Sequence, residues 1–152
     1  IFTILNVSAM GLFSYISGDI GDRYGHKYSL IMAYALHLLA LLLVLFSKNM
    51  FWVYCVFISV GAGQGSFMPS AMNLIYDFAG ERDKKTYMAI IDSFLAPFSL
   101  IFILGIGSFV NDGEYILSLF VMGCCLFIAI IILYYFVEDP KHNKDQIIMS
   151  EN

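Results

Sequence analysis

The chain has 152 residues, of which 60% are hydrophobic and only 13% are charged. Soluble domains usually carry roughly 25% charged residues, and the few charges here leave apolar stretches of about the 20 residues that cross a bilayer. The composition therefore predicts an all-α membrane protein and disfavours a water-soluble nucleic-acid binder, since no basic face exists. The three cysteines lie in apolar stretches without metal-type Cys/His spacing, so we expect neither a metal nor a cofactor.

Five apolar stretches follow one another along the chain and predict five transmembrane helices. They cover residues 1–17, 28–46, 51–78, 86–110 and 115–137. The first is short for a span, so we interpret Ile1 as a truncation point. Residues 138–152 begin with Glu-Asp-Pro and predict a short polar tail, because proline disfavours helix before it.

The first connection, Gly18–Lys27, reads GDIGDRYGHK and is a short, glycine-rich, charged segment between two apolar stretches. Its three glycines permit a tight turn and a close approach of the two helices. Asp22 is placed to meet an exposed helix N-terminus, an interaction of roughly 0.3–1 kcal/mol. Arg23 and Lys27 can pair with acidic groups or lipid headgroups. The alternative interpretation is a solvated turn that carries positive charges.

Basic residues predict the orientation of the chain. Seven of the eight lysines and arginines lie in the first connection, the third connection or the tail, whereas Lys48 alone lies on the opposite side. Because basic residues favour the cytoplasmic side, we expect the Gly18–Lys27 segment and the C-terminus in the cytoplasm, with the protein in the cell (inner) membrane.

The third apolar stretch carries a stripe of small and polar residues at helical spacing, which must face protein or water rather than lipid. Its members are Ser59, Gly63, Ser66, Ser70, Asn73 and Asp77. The fourth stretch carries Asp92 and Ser99 beside Pro97, which removes a backbone donor and predicts a kink. The second and fifth stretches are almost uniformly apolar, so we interpret the third and fourth as lining a cavity. The candidate solute or ion pathway comprises Asn6, Gln64, Ser66, Asn73, Asp92 and Ser99.

Asp92 is the strongest candidate for a residue that takes part in transport, because it lies about seven residues, or roughly 10 Å, inside the fourth stretch. A carboxylate at that depth is expected to bind a proton or a cation or to contact the solute. The alternative is a hydrated residue near the cytoplasmic mouth, or a partner of Arg82 or Lys85. For Asp77 we favour a structural role at a helix end, and for His37 a packed, hydrogen-bonded ring rather than a proton relay.

The Gly18–Lys27 segment resembles the cytoplasmic signature loop of the major facilitator superfamily, G-x-L-a-D-r-x-G-r-k. The matching residues are Gly18, Gly21, Asp22, Arg23, Gly25 and Lys27, while Ile20 stands for the leucine and His26 for the usual arginine. The glycine-rich Gly61–Gly65 stretch followed by Pro69, the Ala96-Pro97 pair and the exit Val137–Lys141 resemble later parts of the same fold.

This resemblance implies five helices of a six-helix half-bundle in a secondary transporter, which moves a small solute by alternating access, with or without a coupled proton. Asp22 would then act as a conformational latch that engages a helix of the other, missing half. The chain would be helices two to six or eight to twelve, and the short tail favours the latter. The partners expected are the solute, a proton, the lipid bilayer and the missing half.

Two alternatives remain open at this point. A membrane-embedded, metal-dependent phosphotransferase could use the Asp19 and Asp22 pair, although such chemistry normally needs more converging carboxylates and the next helix offers none before Asp77. A non-transporting, receptor-like protein could share the same fold. We predict that the chain is not an enzyme, and no residue pattern predicts the solute or the direction of transport.

Overall fold

The computed structural model describes residues 1–79, 83–111 and 115–137, and the regular structure in these ranges is entirely α-helical. The helices are α1 (Phe2–Tyr24), α2 (His26–Leu45), α3 (Met50–Ala79), α4 (Lys84–Asn111) and α5 (Tyr115–Phe136). The last four begin and end within two residues of the predicted stretches. The predicted tail, 138–152, and most of the third and fourth connections lie outside the described residues.

Four of these helices are long and apolar enough to cross a membrane: α2, α3, the Lys84–Gly107 part of α4, and α5. Helix α1 is not among them, and its last two turns carry Asp19, Asp22 and Arg23. That α1 is the inner part of a fifth span stays a prediction. Both α3 and α4 continue as single helices through the prolines at positions 69 and 97.

Helix α3 lies at the centre of the bundle, where it packs along α1 and α2. Helix α5 packs against α2, and α4 has the least extensive contacts of the five, with α3 and α5. The largest side chains that are fully buried in the described residues are serines. Small residues at helix interfaces let backbones approach closely, which is how helices associate where lipid removes the hydrophobic drive.

Most of the small and polar stripe on α3 lies inside this packing. Ser59, Gly63, Ser66 and Ser70 are buried, and Asn73 and Asp77 are half-buried. The sequence interpretation that the stripe lines a cavity is therefore corrected over its buried part, because those residues contact α1 and α2 instead. A neighbouring helix can surround the small and polar side chains of such a face and bond to them, just as water can.

At the end of the bundle near Gly25, leucines replace the serines as the packing residues. Leu30 of α2, Leu74 of α3 and Leu133 of α5 form a buried cluster that joins the three helices. Helix α4 begins after Asp83, whose carboxylate accepts hydrogen bonds from the Lys85 backbone N–H (3.1 Å) and the Thr86 hydroxyl (2.8 Å). Asp83 thus caps the start of α4.

Candidate functional site

The link between α1 and α2 is a single residue rather than the ten-residue turn expected from the sequence. Helix α1 continues to Tyr24, and Gly25 alone breaks the helix, with φ 102° and ψ 148°. The Gly25 N–H donates to the Gly21 carbonyl at 3.0 Å. The connection is tight, as the three glycines predict, but it is shorter than residues 18–27, because one residue with positive φ redirects the chain and glycine inside a helix costs only about 1 kcal/mol.

The three glycines of the Gly18–Lys27 segment have different surroundings. A Cβ added at Gly18 would meet nothing within 4 Å, whereas one at Gly21 would lie closer than 3.0 Å to the His26 ring. Gly21 therefore provides the space in which the His26 ring lies. The Nε2 of His26 is 4.0 Å from the nearer carboxylate oxygen of Asp77 at the end of α3. His26, which stands where the signature loop usually has arginine, therefore faces into the bundle and lies against α1 and α3.

The basic residues of the segment also have defined partners. Arg23 Nε donates to the Asp19 carboxylate at 2.9 Å, one turn away on the same exposed face. Lys27 Nζ donates to the Tyr134 carbonyl at 2.9 Å and lies 5.7 Å from the centre of its ring. Lys27 therefore stabilises the C-terminal end of α5, where helix carbonyls lack intrahelical partners.

Asp22 lies on the exposed side of the last turn of α1, one residue after Gly21. The short link fixes this turn against the start of α2, because Gly21 and Gly25 are both buried. The Asp22 carboxylate is therefore carried at a defined place on the surface of the bundle end.

A buried hydroxyl cluster joins α1, α2 and α3 one turn before this end of the bundle. Ser17 contacts the hydroxyls of Ser29 and Ser70 (2.8 Å to Ser70) and the Ser66 carbonyl (3.1 Å). Ser29 donates to the Ser17 carbonyl at 2.8 Å, and Ser70 donates to the Ser29 hydroxyl at 2.9 Å. The network holds three helices together with directional bonds that apolar contacts cannot supply.

Ser66 lies beside this network but contributes only its carbonyl. Its hydroxyl is fully buried and has no hydrogen-bond partner in the structure. The sequence placed Ser66 in the solute pathway, yet the structure places it between packed helices. Sequence reasoning also missed Ser29, because a lone serine in the apolar α2 gives no periodic signal; its only cue was small size near a helix start.

The remaining pathway candidates differ in their surroundings. Asn6 donates from Nδ2 to the Phe57 carbonyl of α3 at 3.2 Å, near a shallow pocket of about 280 Å³. Gln64 is exposed and Asn73 is half-buried on α3. Asn6 therefore links α1 to α3, while Gln64 is available to a partner outside the described residues.

Asp92 and Ser99 are both exposed on α4. No residue in the apolar part of that helix is buried inside the bundle. His37, in contrast, lies within the packing: its Nδ1 is 2.8 Å from the Ala33 carbonyl, and its ring fills the space above Gly63. A carbonyl can only accept, so Nδ1 carries the proton, as expected for a packed ring.

Comparison with known proteins agrees with this architecture. The family model of the Major Facilitator Superfamily matches residues 1–150, which is nearly the whole chain. No curated protein and no solved structure matches the chain. The matched range includes the Gly18–Lys27 segment, the glycine-rich α3 and the exposed α4. The chain therefore belongs to the major facilitator superfamily, a family of membrane transporters.

Proposed function

We propose that the chain forms most of one half of a secondary transporter, which moves a small solute across the membrane by alternating access. The observation that carries the proposal is Asp92, an exposed carboxylate on a helix that is apolar enough to span the membrane. A charged side chain at membrane depth must face protein or water. We expect the other half of the transporter and a water-filled cavity to cover this face of α4.

The orientation follows from the basic residues. Seven of the eight lysines and arginines belong to the side that holds Gly25 and the C-terminus, and positive charge favours the cytoplasm. We place the Gly18–Lys27 segment in the cytoplasm and the chain in the inner membrane of the cell.

Asp92 is proposed to carry the coupled proton. The test uses the full-length protein in liposomes with an internal pH-sensitive dye, screened with sugars, amino acids, drugs and organic anions. We expect solute-driven proton flux in the wild type and its loss in Asp92→Asn. Asp83→Asn is the matched control, because Asp83 lies just before α4 and acts only as a helix cap.

Each outcome of this test decides between functions. Wild-type proton flux in Asp92→Asn would end the coupling role of Asp92. Binding of a solute without uptake or exchange would support the receptor-like alternative. Magnesium-dependent phosphotransfer that is lost in Asp22→Ala would support the enzyme alternative and overturn transport.

Asp22 is proposed to latch the outward-open state by engaging a helix N-terminus in the other half. We expect Asp22→Ala to shift the ratio of inward-open to outward-open molecules by roughly two- to fivefold, the equivalent of 0.3–1 kcal/mol. The ratio is measured from reagent access to cysteines introduced on the two sides of the cavity, after Cys55, Cys124 and Cys125 are replaced. Asp19→Ala is the control, because Asp19 pairs with Arg23 on its own helix. Equal access in Asp22→Ala and wild type would contradict the latch.

A further inference from the structure

An apolar groove runs between the second half of α2 and the first half of α5. It has a volume of about 440 Å³ and lies between Leu38–Leu45 on one side and Ile116–Ile128 on the other. Its lining is hydrocarbon apart from Gly123 and the thiol of Cys124. Neither of the two lining stretches contains a charged residue. The groove therefore suits an apolar occupant that approaches within the membrane.

The groove exists because the two helices are tied together at their other ends. Lys27 binds the Tyr134 carbonyl, and Leu30 packs in the same cluster as Leu133. In the groove, by contrast, Gly123 presents no side chain to α2, and a Cβ there would lie 4.0 Å from the nearest atom, in Leu41. A small residue at this point leaves an open trough instead of a packed seam.

The dimensions of the trough favour a chain thinner than a helix. Ile116–Ile128 extends about 18 Å at 1.5 Å per residue. One leaflet of the hydrocarbon core is about 15 Å deep, half of the roughly 30 Å core, so the trough runs the depth of one leaflet. A helix about 10 Å wide and of this length would displace on the order of 1,400 Å³, several times the space available. An extended alkyl chain is narrow enough.

The end of the trough carries the features of a membrane surface. Lys48 is exposed and lies three residues beyond Leu45, in the short connection to α3. The rings of Phe46 and Trp52 are 6.5 Å apart next to it, and Tyr115 is exposed at the start of α5. Aromatic side chains favour the headgroup level, and an ammonium there attracts phosphate.

We propose that this trough binds one acyl chain of a phospholipid, from the leaflet opposite the Gly18–Lys27 segment, with the lipid phosphate at Lys48. Phosphatidylethanolamine carries both the phosphate and the acyl chains that this site would bind. No residue that lines the trough belongs to the proposed solute pathway. The lipid site can therefore be tested separately from the transport proposal.

The first test is photo-crosslinking on the full-length, wild-type protein in bilayers that contain phosphatidylethanolamine with a diazirine on its acyl chain. We expect adducts to concentrate on Leu41, Phe120 and Phe127 of the trough, above the level on the exposed α4 residues Ile101 and Leu104. Even labelling of both faces would mean ordinary boundary lipid and would overturn the proposal. Labelling of α4 without labelling of the trough would mean that another protein segment fills it.

Two variants sharpen this result. Gly123→Phe places a ring in the trough and should abolish the concentrated labelling, whereas Gly107→Phe, at an open glycine of α4, should leave it unchanged. Lys48→Gln should lower retention of the lipid in native mass spectrometry by roughly 1.5- to 5-fold, the effect of an exposed ion pair. Unchanged labelling in Gly123→Phe would refute the site. If that variant does not fold, the wild-type labelling pattern still decides.

Discussion

Gly65 of α3 and Met10 of α1 meet backbone to backbone. A Cβ added to Gly65 would lie closer than 3.0 Å to the Met10 carbonyl oxygen, and Gly61 stands in the same relation to Asn6 one turn earlier. Backbone atoms cannot move aside as the end of a flexible side chain can. The two glycines therefore set the distance between α1 and α3 over a full turn.

Gly65→Ala should weaken the docking of α1 on α3. The added methyl group has no space, and overpacking of this kind costs about 1–3 kcal/mol. The thermal midpoint of the full-length protein in detergent should fall. Gly11→Ala is the matched control, because a Cβ at Gly11 meets nothing within 4 Å and alanine favours the helix. Equal midpoints for the two variants would contradict the close contact.

Ser17→Ala and Ser66→Ala each remove one buried hydroxyl group from neighbouring positions. We expect the two changes to have different effects on the free energy of unfolding. The Ser17 hydroxyl bonds to the Ser29 and Ser70 hydroxyls and to the Ser66 carbonyl, so its loss removes buried hydrogen bonds worth about 0.5–1.5 kcal/mol each and should lower the unfolding free energy by about 1–3 kcal/mol. The Ser66 hydroxyl has no partner, so its removal should be neutral or stabilising. Detergent unfolding of both variants measures the difference. A larger loss in Ser66→Ala would show that the cluster is arranged differently.

Gly25→Ala should destabilise the α1–α2 link, since φ 102° with ψ 148° is a region that essentially only glycine occupies. The expected cost is about 1–3 kcal/mol, the usual range for such backbone strain. Gly18→Ala, in the same motif, should be tolerated because its surroundings are open. Protease resistance of the link in membranes compares the two. Equal sensitivity would argue against the single-residue break.

The cap at Asp83 makes the start of α4 sensitive to acid. The hydrogen bond from the Thr86 hydroxyl, together with the Lys85 N–H, lowers the pKa of Asp83 below its usual value. A carboxyl with a lowered pKa in the folded state contributes stability above its unfolded pKa and loses it as the pH falls through the folded one. As the pH falls below about 3.8, the protection of the Lys85–Tyr87 amides, measured as their exchange relative to the intrinsic rate at each pH, should therefore fall progressively. Asp83→Ala should show the same low protection at every pH, and a pH-dependent loss of protection that persists in this variant would contradict the cap.

The helices could be predicted from the sequence because each apolar run is long and ends at a charged or turn-forming group. The extent of α1 could not, since the Gly18–Lys27 segment holds three glycines and nothing in the sequence marks Gly25 as the one that breaks the helix. The Asp19–Arg23 pair supports the helical continuation by i,i+4 attraction. That pair favours a helix over a turn at residues 19–23, but its contribution of about 0.2–0.5 kcal/mol is too small to outweigh three glycines in a prediction.

The sequence spacing identified the polar stripe on α3. It did not predict whether water or another helix contacts that stripe. Small and polar residues at helical spacing are equally satisfied by water and by another helix, so periodicity alone does not separate a cavity from a packed seam. Ser66 shows the ambiguity, because it lies on the predicted face and yet is fully buried. The roles proposed for Asp22 and Asp92 rest on the proposed second half of the transporter, so the described residues cannot predict them.

The three glycines of α3 also restrict rotation of that helix about its own axis. Gly61 and Gly65 face α1, while Gly63, about 200° around the helix, faces the His37 ring of α2. Turning α3 in either direction brings a side chain into one of these contacts. Because these contacts leave no room for α3 to rotate against α1 or α2, we expect the three helices to move as one rigid unit.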